Sequence, residues 1–280
     1  MKASWASRLE VAGIYLVLAV AFAVILYPLA WAAGLSLQSG TSLYSASMFP
    51  RHPSLEHYRW LFASPESDYL TWYKNTLIVS ASTSLLSVIV TSATAYALSR
   101  FDFVGRKSGL YAFLLLQMFP VMMAMVALYI FLNLIGLLNT LTGLVLIYVG
   151  GQIPFNAWLV KGYLDTIPRE LDDAAKIDGA GQLRVFVRIL LPLITPILAI
   201  VALSNFMMPI FDFILPSIIL HDSGKYTLAV GLYHFVTEKY SNHFTVFTAG
   251  AILIALPVAL VYLFLQRFFI SGLTAGGTKG

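Results

Sequence analysis

The chain has 280 residues, of which 59% are hydrophobic and 11% are charged, with a mean hydropathy of +0.82. Soluble domains carry about 25% charged residues, so this composition excludes an ordinary soluble globule and indicates a polytopic membrane protein. The absence of cysteine excludes disulfides and thiolate ligands or nucleophiles. The net charge of +4 does not indicate nucleic-acid binding, because no basic cluster is interleaved with aromatic residues, and basic loops on one side of a membrane explain it.

Apolar runs predict an all-α chain with six transmembrane helices, each close to the roughly 20 residues that cross a bilayer. The predicted spans are residues 11–35, 76–98, 110–132, 144–164, 193–220 and 245–268. The first run has a signal peptide as its alternative, but its 25 apolar residues exceed the about 7–15 of a signal-peptide core, so a retained helix is predicted. Glycines and prolines are expected to interrupt the fourth span, and prolines the fifth. Residues 36–75 and 221–244 are predicted to be loops.

The distribution of basic residues predicts the orientation. If the N-terminus lies inside, twelve of the 17 Lys and Arg residues fall on the inner side and five on the outer side. Because basic residues concentrate in cytoplasmic segments, both termini and residues 169–192 are predicted to be cytoplasmic.

The polar segment of residues 170–192 is unusual in so apolar a chain. It is predicted to form a short helix, a sharp turn at Gly179 and Gly181, and a second helix that Pro192 ends. Four apolar residues are expected on one side of the first helix: Leu171, Ala174, Ala175 and Ile177. A short helix with an apolar face can dock in a groove of a partner protein. An ordinary amphipathic loop between two spans is the alternative.

This segment resembles the EAA loop of the inner-membrane permease subunits of binding-protein-dependent ABC importers. The family pattern is Glu-Ala-Ala, three residues, Gly, nine residues, Ile, any residue and Leu-Pro. The matching residues have the same spacing, with Asp in place of Glu at the first position: Asp173, Ala174, Ala175, Gly179, Ile189, Leu191 and Pro192. The resemblance implies the permease fold of type I ABC importers, with six transmembrane helices and a cytoplasmic coupling helix. It implies an ATPase-coupling role for these seven residues and for Glu170 and Asp178.

The resemblance covers nearly the whole chain. It implies a first helix with a long external loop over residues 1–75, a permease core over 76–269 that contains the coupling loop 169–192, and a cytoplasmic tail over 270–280. Residues 117–120, 126–129, 161–163 and 272–280 are similar to the G-type subunits of maltose and maltodextrin importers. Related sugar permeases carry Trp-Asn-Asp/Glu-Phe where this chain has Ile-Phe-Asp-Phe at 210–213. The resemblance implies maltose, maltodextrin or a related oligosaccharide as the substrate, and the departure at 210–213 leaves the particular sugar open.

The resemblance also implies partners. The chain is expected to lie in the lipid bilayer of a bacterial or archaeal inner membrane, paired with a second homologous permease. Two ATP-binding subunits would hold ATP and Mg, and an external solute-binding protein would deliver the sugar, with residues 221–244 as a contact. The chain itself is expected to bind no cofactor, metal or nucleic acid, and not to be an enzyme. The order of residues in the tail does not match a phosphate loop. The resemblance implies that Gly276, Gly277 and Lys279 reach between the ATPase subunits. A flexible glycine-rich end is the alternative.

Polar residues inside the apolar runs are candidates for the translocation path. Asp212 lies between two prolines, and an unpaired charge there costs roughly 2.5–3.5 kcal/mol, so it must face protein or water. Gln117, Asn156 and Asn205 could hydrogen-bond sugar hydroxyls, although contacts between helices explain them as well. A second class of function stays open: an ion-coupled secondary transporter or channel with Asp212 as its ion site. Many secondary transporters contain inverted repeats, and none is visible in this sequence, which argues against this alternative. No catalytic constellation supports a membrane enzyme.

Overall fold

The computed structural model describes residues 5–40, 48–237 and 243–277, and the regular elements in these ranges are helical, which confirms the all-α prediction. The α-helices are α1 (Trp5–Ser36), α2 (Glu56–Ala63), α3 (Tyr69–Arg100), α4 (Arg106–Gln117), α5 (Val121–Leu134), α6 (Leu141–Leu164), α7 (Glu170–Ile177), α8 (Gln182–Val185), α9 (Leu191–Leu193), α10 (Thr195–Phe211), α11 (Ile214–Ile219), α12 (Leu228–Thr237), α13 (Phe244–Leu253) and α14 (Ala255–Gly277). A π-helix covers Phe186–Leu190 and a 3₁₀ turn covers Ser223–Lys225.

Within the described ranges, four helical stretches are long and apolar enough to cross a membrane alone. They are Glu10–Ser36, Tyr69–Arg100, Leu141–Leu164 and Phe244–Phe268. Two further spans form if each bent pair of helices counts as one, namely Arg106–Gln117 with Val121–Leu134 and Gln182–Leu193 with Thr195–Phe211. Counted in this way, there are six spans, as predicted, but the fifth begins earlier and ends earlier than the predicted run of residues 193–220.

The third span is not the single helix predicted over residues 110–132. α4 and α5 meet at an angle of 100°, and Pro120 between them has an extended conformation (φ −64°, ψ 121°). Proline lacks an N–H for the helical ladder, and it disfavours the helical conformation of the residue before it, Phe119. The helix therefore stops at this point and restarts in a new direction.

The fourth span differs from the prediction, whereas the fifth is interrupted as predicted, between Pro209 and Pro216, where α10 ends at Phe211 and α11 begins at Ile214. α6 runs unbroken through Gly150, Gly151 and Pro154, so the expected interruption is wrong. The second helix of the polar segment also does not end at Pro192. The Pro192 ring would clash with the carbonyl four residues earlier, and the preceding turn is widened to a π-helix at Phe186–Leu190. The sharp bend, 78°, follows two residues later at Ile194.

The two predicted loops contain helices. α2 lies inside 36–75, and α3 begins at Tyr69, earlier than the predicted start at residue 76. α12 lies inside 221–244; its apolar residues Leu228, Val230 and Leu232 are buried, and burial of these side chains favours the helix. Residues 238–242 of the predicted contact loop lie outside the described residues.

The chain divides into two compact units, Met1–Tyr69 with Leu232–Ala255 and Leu70–Gly231 with Leu256–Gly280. In the first unit α13 packs against both α1 and α2, and the Tyr69 hydroxyl donates to the Gly250 carbonyl at 2.9 Å. Most of the described side chains of α1 are exposed.

The second unit holds two buried apolar clusters at different heights along α3. One includes Val79 and Tyr148, and the other includes Ala95 and Leu190. Between them, one face of α3 is lined by fully buried hydroxyl residues spaced three or four apart: Thr76, Ser80, Thr83, Ser87 and Thr91. Small residues allow neighbouring helices to approach closely, and this places α3 inside its bundle.

Candidate functional site

The coupling segment, residues 169–192, contains the predicted helix, turn and second helix. Gly179 ends α7 in the left-handed region at φ +81°. Its N–H donates to the Lys176 carbonyl at 3.0 Å, and the N–H of Ala180 donates to the Ala175 carbonyl at 2.9 Å. These two bonds form a Schellman motif, which requires a left-handed residue at the position of Gly179. The motif glycine is therefore explained by the turn itself.

The orientation of α7 differs from the prediction of a single apolar side. Ala175 is buried, whereas Leu171, Ala174 and Ile177 are exposed. The buried face of α7 also carries a charged residue, Asp172. The apolar residues predicted to lie together are thus divided between a face that packs on the chain and a face that is free.

Arg100, the last residue of α3, neutralises Asp172. Its Nε lies 2.6 Å from Oδ2 of Asp172, with side-chain exposures of 5% and 7%. The contact is an ion pair rather than a directed hydrogen bond, and Nη2 of Arg100 donates to the Ile167 carbonyl at 2.9 Å. Removal of one partner from a buried pair leaves an uncompensated charge and costs about 3–5 kcal/mol. This pair therefore fixes α7 to the end of α3.

Further polar contacts surround that pair. The Ser99 hydroxyl donates to Oδ1 of Asp165 at 2.7 Å, and Arg169 donates to the Ser99 carbonyl at 2.9 Å. Burial raises the pKa of Asp165, but hydrogen bonds from Lys161 and Ser99, with the charges of Lys161 and Arg106, outweigh it, so the pKa lies below its ordinary value. Asp165 is consequently a carboxylate at neutral pH, held between the ends of α3 and α6.

Aromatic packing joins the second helix of the segment to α3. The rings of Tyr96 and Phe186 stack with their centroids 4.7 Å apart. The Tyr96 hydroxyl donates to Oε1 of Gln182 at 2.9 Å. Val185 and Leu190 are fully buried in the same cluster. Both halves of the coupling segment are therefore held firmly to the bundle.

The outer surface of the segment is apolar. Ile177 is 87% exposed and Leu183 is 74% exposed, one on each side of the turn. Leu171 and Val187 extend this exposed surface along α7 and the second helix. Of the predicted coupling residues, Glu170, Asp173, Ala174, Asp178, Gly179 and Pro192 are exposed, Ile189 and Leu191 are half-buried, and Ala175 is buried. Exposed apolar side chains on a rigid support are typical of a protein–protein contact.

A second feature is a cavity of about 550 Å³ beside the bend between α4 and α5. Its walls are mostly apolar, with Phe119 and Phe131 among them, and a few polar groups: Gln117, Tyr148, Gln152 and Asp212. Gln117 donates to the Gly151 carbonyl at 2.8 Å. Apolar and aromatic walls with a few polar groups are the usual composition of small-molecule sites.

Asp212 makes three hydrogen bonds at the edge of this cavity. Its Oδ1 accepts from the backbone N–H groups of Ile214 and Leu215 at 3.0 and 3.3 Å, and its Oδ2 accepts from the Tyr148 hydroxyl at 2.9 Å. The carboxylate thus caps α11 and is half-exposed to the cavity. Asp212 therefore makes structural contacts and also lines the cavity, and its place on a translocation path stays a prediction.

Two of the four predicted path residues do not line this cavity. Asn205 is 2% exposed and donates to the Val201 carbonyl at 2.8 Å, and Asn156 is 4% exposed. Gln117 and Asp212 do line it. In the tail, Gly276 and Gly277 are the last residues of α14, and Lys279 lies outside the described residues.

At the end of α3 opposite the coupling segment, a turn over residues 223–228 is bound by α3 side chains. Trp72 Nε1 donates to the Ser223 carbonyl at 2.9 Å. The Asn75 side chain donates to the carbonyls of Gly224 and Tyr226, both at 3.0 Å. Thr76 Oγ1 accepts from the Leu228 N–H at 2.7 Å. The predicted loop is therefore a fixed structure at this point.

Asn139 holds the start of the same loop. It is the one non-glycine residue with positive φ (+57°) in the described ranges. Its side chain donates to Asp222 at 2.7 Å and accepts from the N–H groups of His221 and Asp222 at 2.9 and 3.3 Å. Asparagine visits the left-handed region more readily than most residues, and these bonds attach Asn139 to the distant loop. Trp72, Asn75 and Asn139 could not be selected from the sequence, because their partners are distant in the chain.

Three features together are typical of the membrane subunit of a transporter: helices long enough to cross a membrane, a mostly apolar cavity with a few polar groups, and a helical turn with an exposed apolar surface. The sequence profile described as "Binding-protein-dependent transport system inner membrane component" matches residues 87–274, which is more than half of the chain. The chain belongs to this family.

Relatives at high identity span the full length of the chain. The galactooligosaccharides transport system permease protein GanQ of Bacillus subtilis is 48% identical over 267 residues, covering 95% of this chain and 94% of the relative. The maltodextrin transport system permease protein MdxG of the same organism is 45% identical over 280 residues, covering all of both chains. Among solved structures, a bacterial ABC transporter involved in the import of the acidic polysaccharide alginate is similar with a TM-score of 0.81. Its identity is 22%, and the match covers 96% of this chain and 99% of that chain, which supports the fold.

Proposed function

We propose that this chain is a permease subunit of an ATP-driven ABC importer for maltodextrin or a related oligosaccharide. Family membership and relatives that carry the names of maltodextrin and galactooligosaccharide permeases support the class and the sugar. The observation that carries the proposal is the coupling segment, because its apolar tip is exposed while its base is fixed to α3 by a buried ion pair. A motor docked on that tip would move the bundle rather than bend the segment.

The assembly contains two homologous permeases, two ATP-binding subunits that hold ATP and Mg, and an external solute-binding protein. Both termini and the coupling segment face the cytoplasm, in agreement with the bias of basic residues. One ATP-binding subunit docks on the exposed tip formed by Leu171, Ile177, Leu183 and Val187. ATP binding closes the two motors, the coupling segments move, and the cavity opens to the outside. Hydrolysis resets the assembly, so that sugar moves by alternating access.

The cavity supplies the sugar path on this subunit. Its volume of about 550 Å³ falls within the roughly 300–1,000 Å³ of small-molecule sites. Phe119 and Phe131 offer faces for sugar rings, and Gln117, Gln152 and Asp212 offer hydrogen-bond groups. The sugar range is measured by testing maltodextrins, galactooligosaccharides and alginate fragments for stimulation of ATP hydrolysis.

The geometry of Asp212 argues against the ion-coupled alternative. A cation site in a protein is built from several oxygen ligands, whereas both oxygens of Asp212 accept hydrogen bonds from N–H or O–H donors. We therefore expect Asp212→Asn to leave ATP-dependent sugar uptake independent of proton and sodium gradients. Uptake that follows such a gradient in vesicles without ATP would overturn the proposal.

The test of docking uses the exposed tip and a matched position. Ile177→Asp with Leu183→Asp places charges in the proposed contact, and we expect the ATP-binding subunit to be lost when the tagged chain is purified in mild detergent. Val104→Asp is the control, because Val104 is fully exposed in the turn between α3 and α4, outside the coupling segment. Retention of the motor by the double variant, or equal loss in the control, would refute docking on this surface.

A further inference from the structure

α3 is a continuous helix of 32 residues, which corresponds to about 48 Å at the usual rise per residue. It contains no proline, and no break in its hydrogen bonding divides it. A helix of this kind transmits a displacement at one end to the other with little internal bending, because kinks arise at proline, at π-bulges or at similar interruptions. Its two ends carry the most specific contacts in this part of the molecule.

At one end, Arg100 and Asp172 form the buried ion pair that joins α3 to the coupling segment. The Ser99 carbonyl accepts from Arg169 at 2.9 Å and thus adds a second link to the same segment. Both groups lie in the last turn of α3. A movement of α7 therefore acts directly on this helix end.

At the other end, Trp72, Asn75 and Thr76 bind the turn at residues 223–228 through four hydrogen bonds of 2.7–3.0 Å. The Trp72 ring also lies against Gly231, where an added Cβ would be 2.1 Å from ring carbons. This turn belongs to residues 221–244, which the proposed orientation of the chain places outside the membrane. A binding protein that pressed on it would act on α3 through these contacts.

The buried face of α3 between these ends is different. The hydroxyl oxygens of Ser80, Thr83, Ser87 and Thr91 are buried and have no hydrogen-bond partner within the part of the chain that the structure describes. Small side chains without directed bonds oppose sliding less than interlocked or hydrogen-bonded ones do. In the described part of the chain, one side-chain bond joins the middle of α3 to another helix, from the Ser84 hydroxyl to the Ala202 carbonyl of α10 at 2.8 Å. The other hydroxyl residues of this face are held by close packing, and packed helices undergo small shear displacements.

We infer that α3 is the rod that links the binding-protein side of this permease to its motor side. Arg100, Asp172, Trp72 and Asn75 are its positioning residues, and the 223–228 turn is the surface on which the binding protein acts. This inference rests on the proposed function, since it requires a binding protein and a motor. It adds a physical connection between the binding protein and the motor. It predicts that the contacts at the two ends of α3, about 37 Å apart along the helix, transmit one signal in series, so that loss of either contact interrupts it.

The test uses the complete importer in lipid nanodiscs with its solute-binding protein and sugar. The quantity measured is the ratio of ATP hydrolysis with and without the sugar-loaded binding protein. Asp172→Asn breaks the inner attachment, and Asn75→Ala removes two hydrogen bonds from the outer one. We expect each variant to lower the ratio by about 2- to 30-fold. Asp102→Asn is the matched control, because it removes an exposed ion pair with Arg106 just beyond the end of α3 and should leave the ratio unchanged.

The decisive measurement is the double variant. Independent sites this far apart change free energies additively, so their effects on the ratio would multiply. Two attachments of one rod act in series, so the double variant should be no worse than the more severe single variant. Where Asp172→Asn does not assemble, Arg100→Lys replaces it, because it keeps the positive charge and loses the guanidinium bond to the Ile167 carbonyl.

Each outcome is informative. A wild-type importer whose ATP hydrolysis ignores the loaded binding protein would contradict the proposed function itself. The rod would be overturned, and the proposed importer would stand, if the loaded binding protein stimulates ATP hydrolysis in the wild type but the single variants keep the wild-type ratio. The same conclusion would follow if the effects of the two single variants on the ratio multiply in the double variant. A lowered ratio in both single variants without further loss in the double variant would establish the series connection.

Discussion

The turn of the coupling segment gives a sharp prediction because two neighbouring glycines differ in one property. Gly179 has φ +81° and Gly181 has φ −70°. An added Cβ would meet no atom within 4 Å at either position. Steric contact with the rest of the chain is therefore equal, and the backbone conformation alone distinguishes the two sites.

We expect Gly179→Ala to destabilise the turn and Gly181→Ala to leave it unchanged or slightly stabilised. A non-glycine residue in the left-handed region costs about 1–2 kcal/mol, whereas alanine at a compatible φ gains about 0.4–1 kcal/mol through the unfolded chain. The N–H groups of Gly179 and Ala180 are held by the Schellman bonds. A loss of about 1–2 kcal/mol in local opening free energy raises their exchange rate about 5- to 30-fold.

The assay is hydrogen–deuterium exchange of the purified assembly, followed by mass spectrometry on peptides that span the turn. Gly179→Asn provides a further control, since asparagine tolerates the left-handed region better than alanine and should exchange more slowly than Gly179→Ala. Equal exchange in the two alanine variants, or faster exchange in Gly181→Ala, would refute the assignment of the motif glycine to backbone conformation.

Three further predictions follow from contacts in the second unit. Gly231→Ala should destabilise the protein by about 1–3 kcal/mol, because its Cβ would lie 2.1 Å from the Trp72 ring; thermal unfolding with tryptophan fluorescence measures this, and an unshifted midpoint would contradict it. Asp165 has a lowered pKa in the folded protein, so its contribution to stability is present above about pH 4 and is lost as the pH falls through the lowered value. The stability difference between wild type and Asp165→Asn should therefore shrink below pH 4, and a constant difference down to pH 2 would refute it. Tyr148→Phe removes the hydroxyl donor to Asp212 and should lower the free energy of unfolding in chemical denaturation by about 1–3 kcal/mol; an unchanged free energy would contradict it.

The coupling segment could be predicted from sequence because its information is local. Charged residues, two glycines and a proline lie within one short stretch, and glycine spacing alone indicates a turn. The Arg100–Asp172 pair could not be predicted in this way, because its members lie far apart in the chain and each is an ordinary charged residue at a helix end. The buried face of α7 carries both kinds of contact: Asp172 pairs with Arg100, and Ala175 packs in the apolar cluster with Val185.

The cavity illustrates the same limit. Gln117 and Asp212 were identified as polar residues in apolar runs, but a straight third span would not have predicted a cavity between them. The bend at Pro120 creates one wall of it. Hydropathy counts the residues of a span and does not report its direction, so the 100° change between α4 and α5 was missed.

The hydroxyl-lined face of α3 has a consequence for how the protein is made. During synthesis α3 enters the bilayer before α6 and α10 exist, and at that stage Ser80, Thr83, Ser87 and Thr91 meet only lipid or the insertion machinery. Small side chains allow helices to pack closely, so α3 gains these packing contacts only when the later helices arrive, including α10, whose Ala202 carbonyl accepts from Ser84. A chain truncated before α10 would expose this face, and we expect membrane proteases to degrade it faster than the full-length chain.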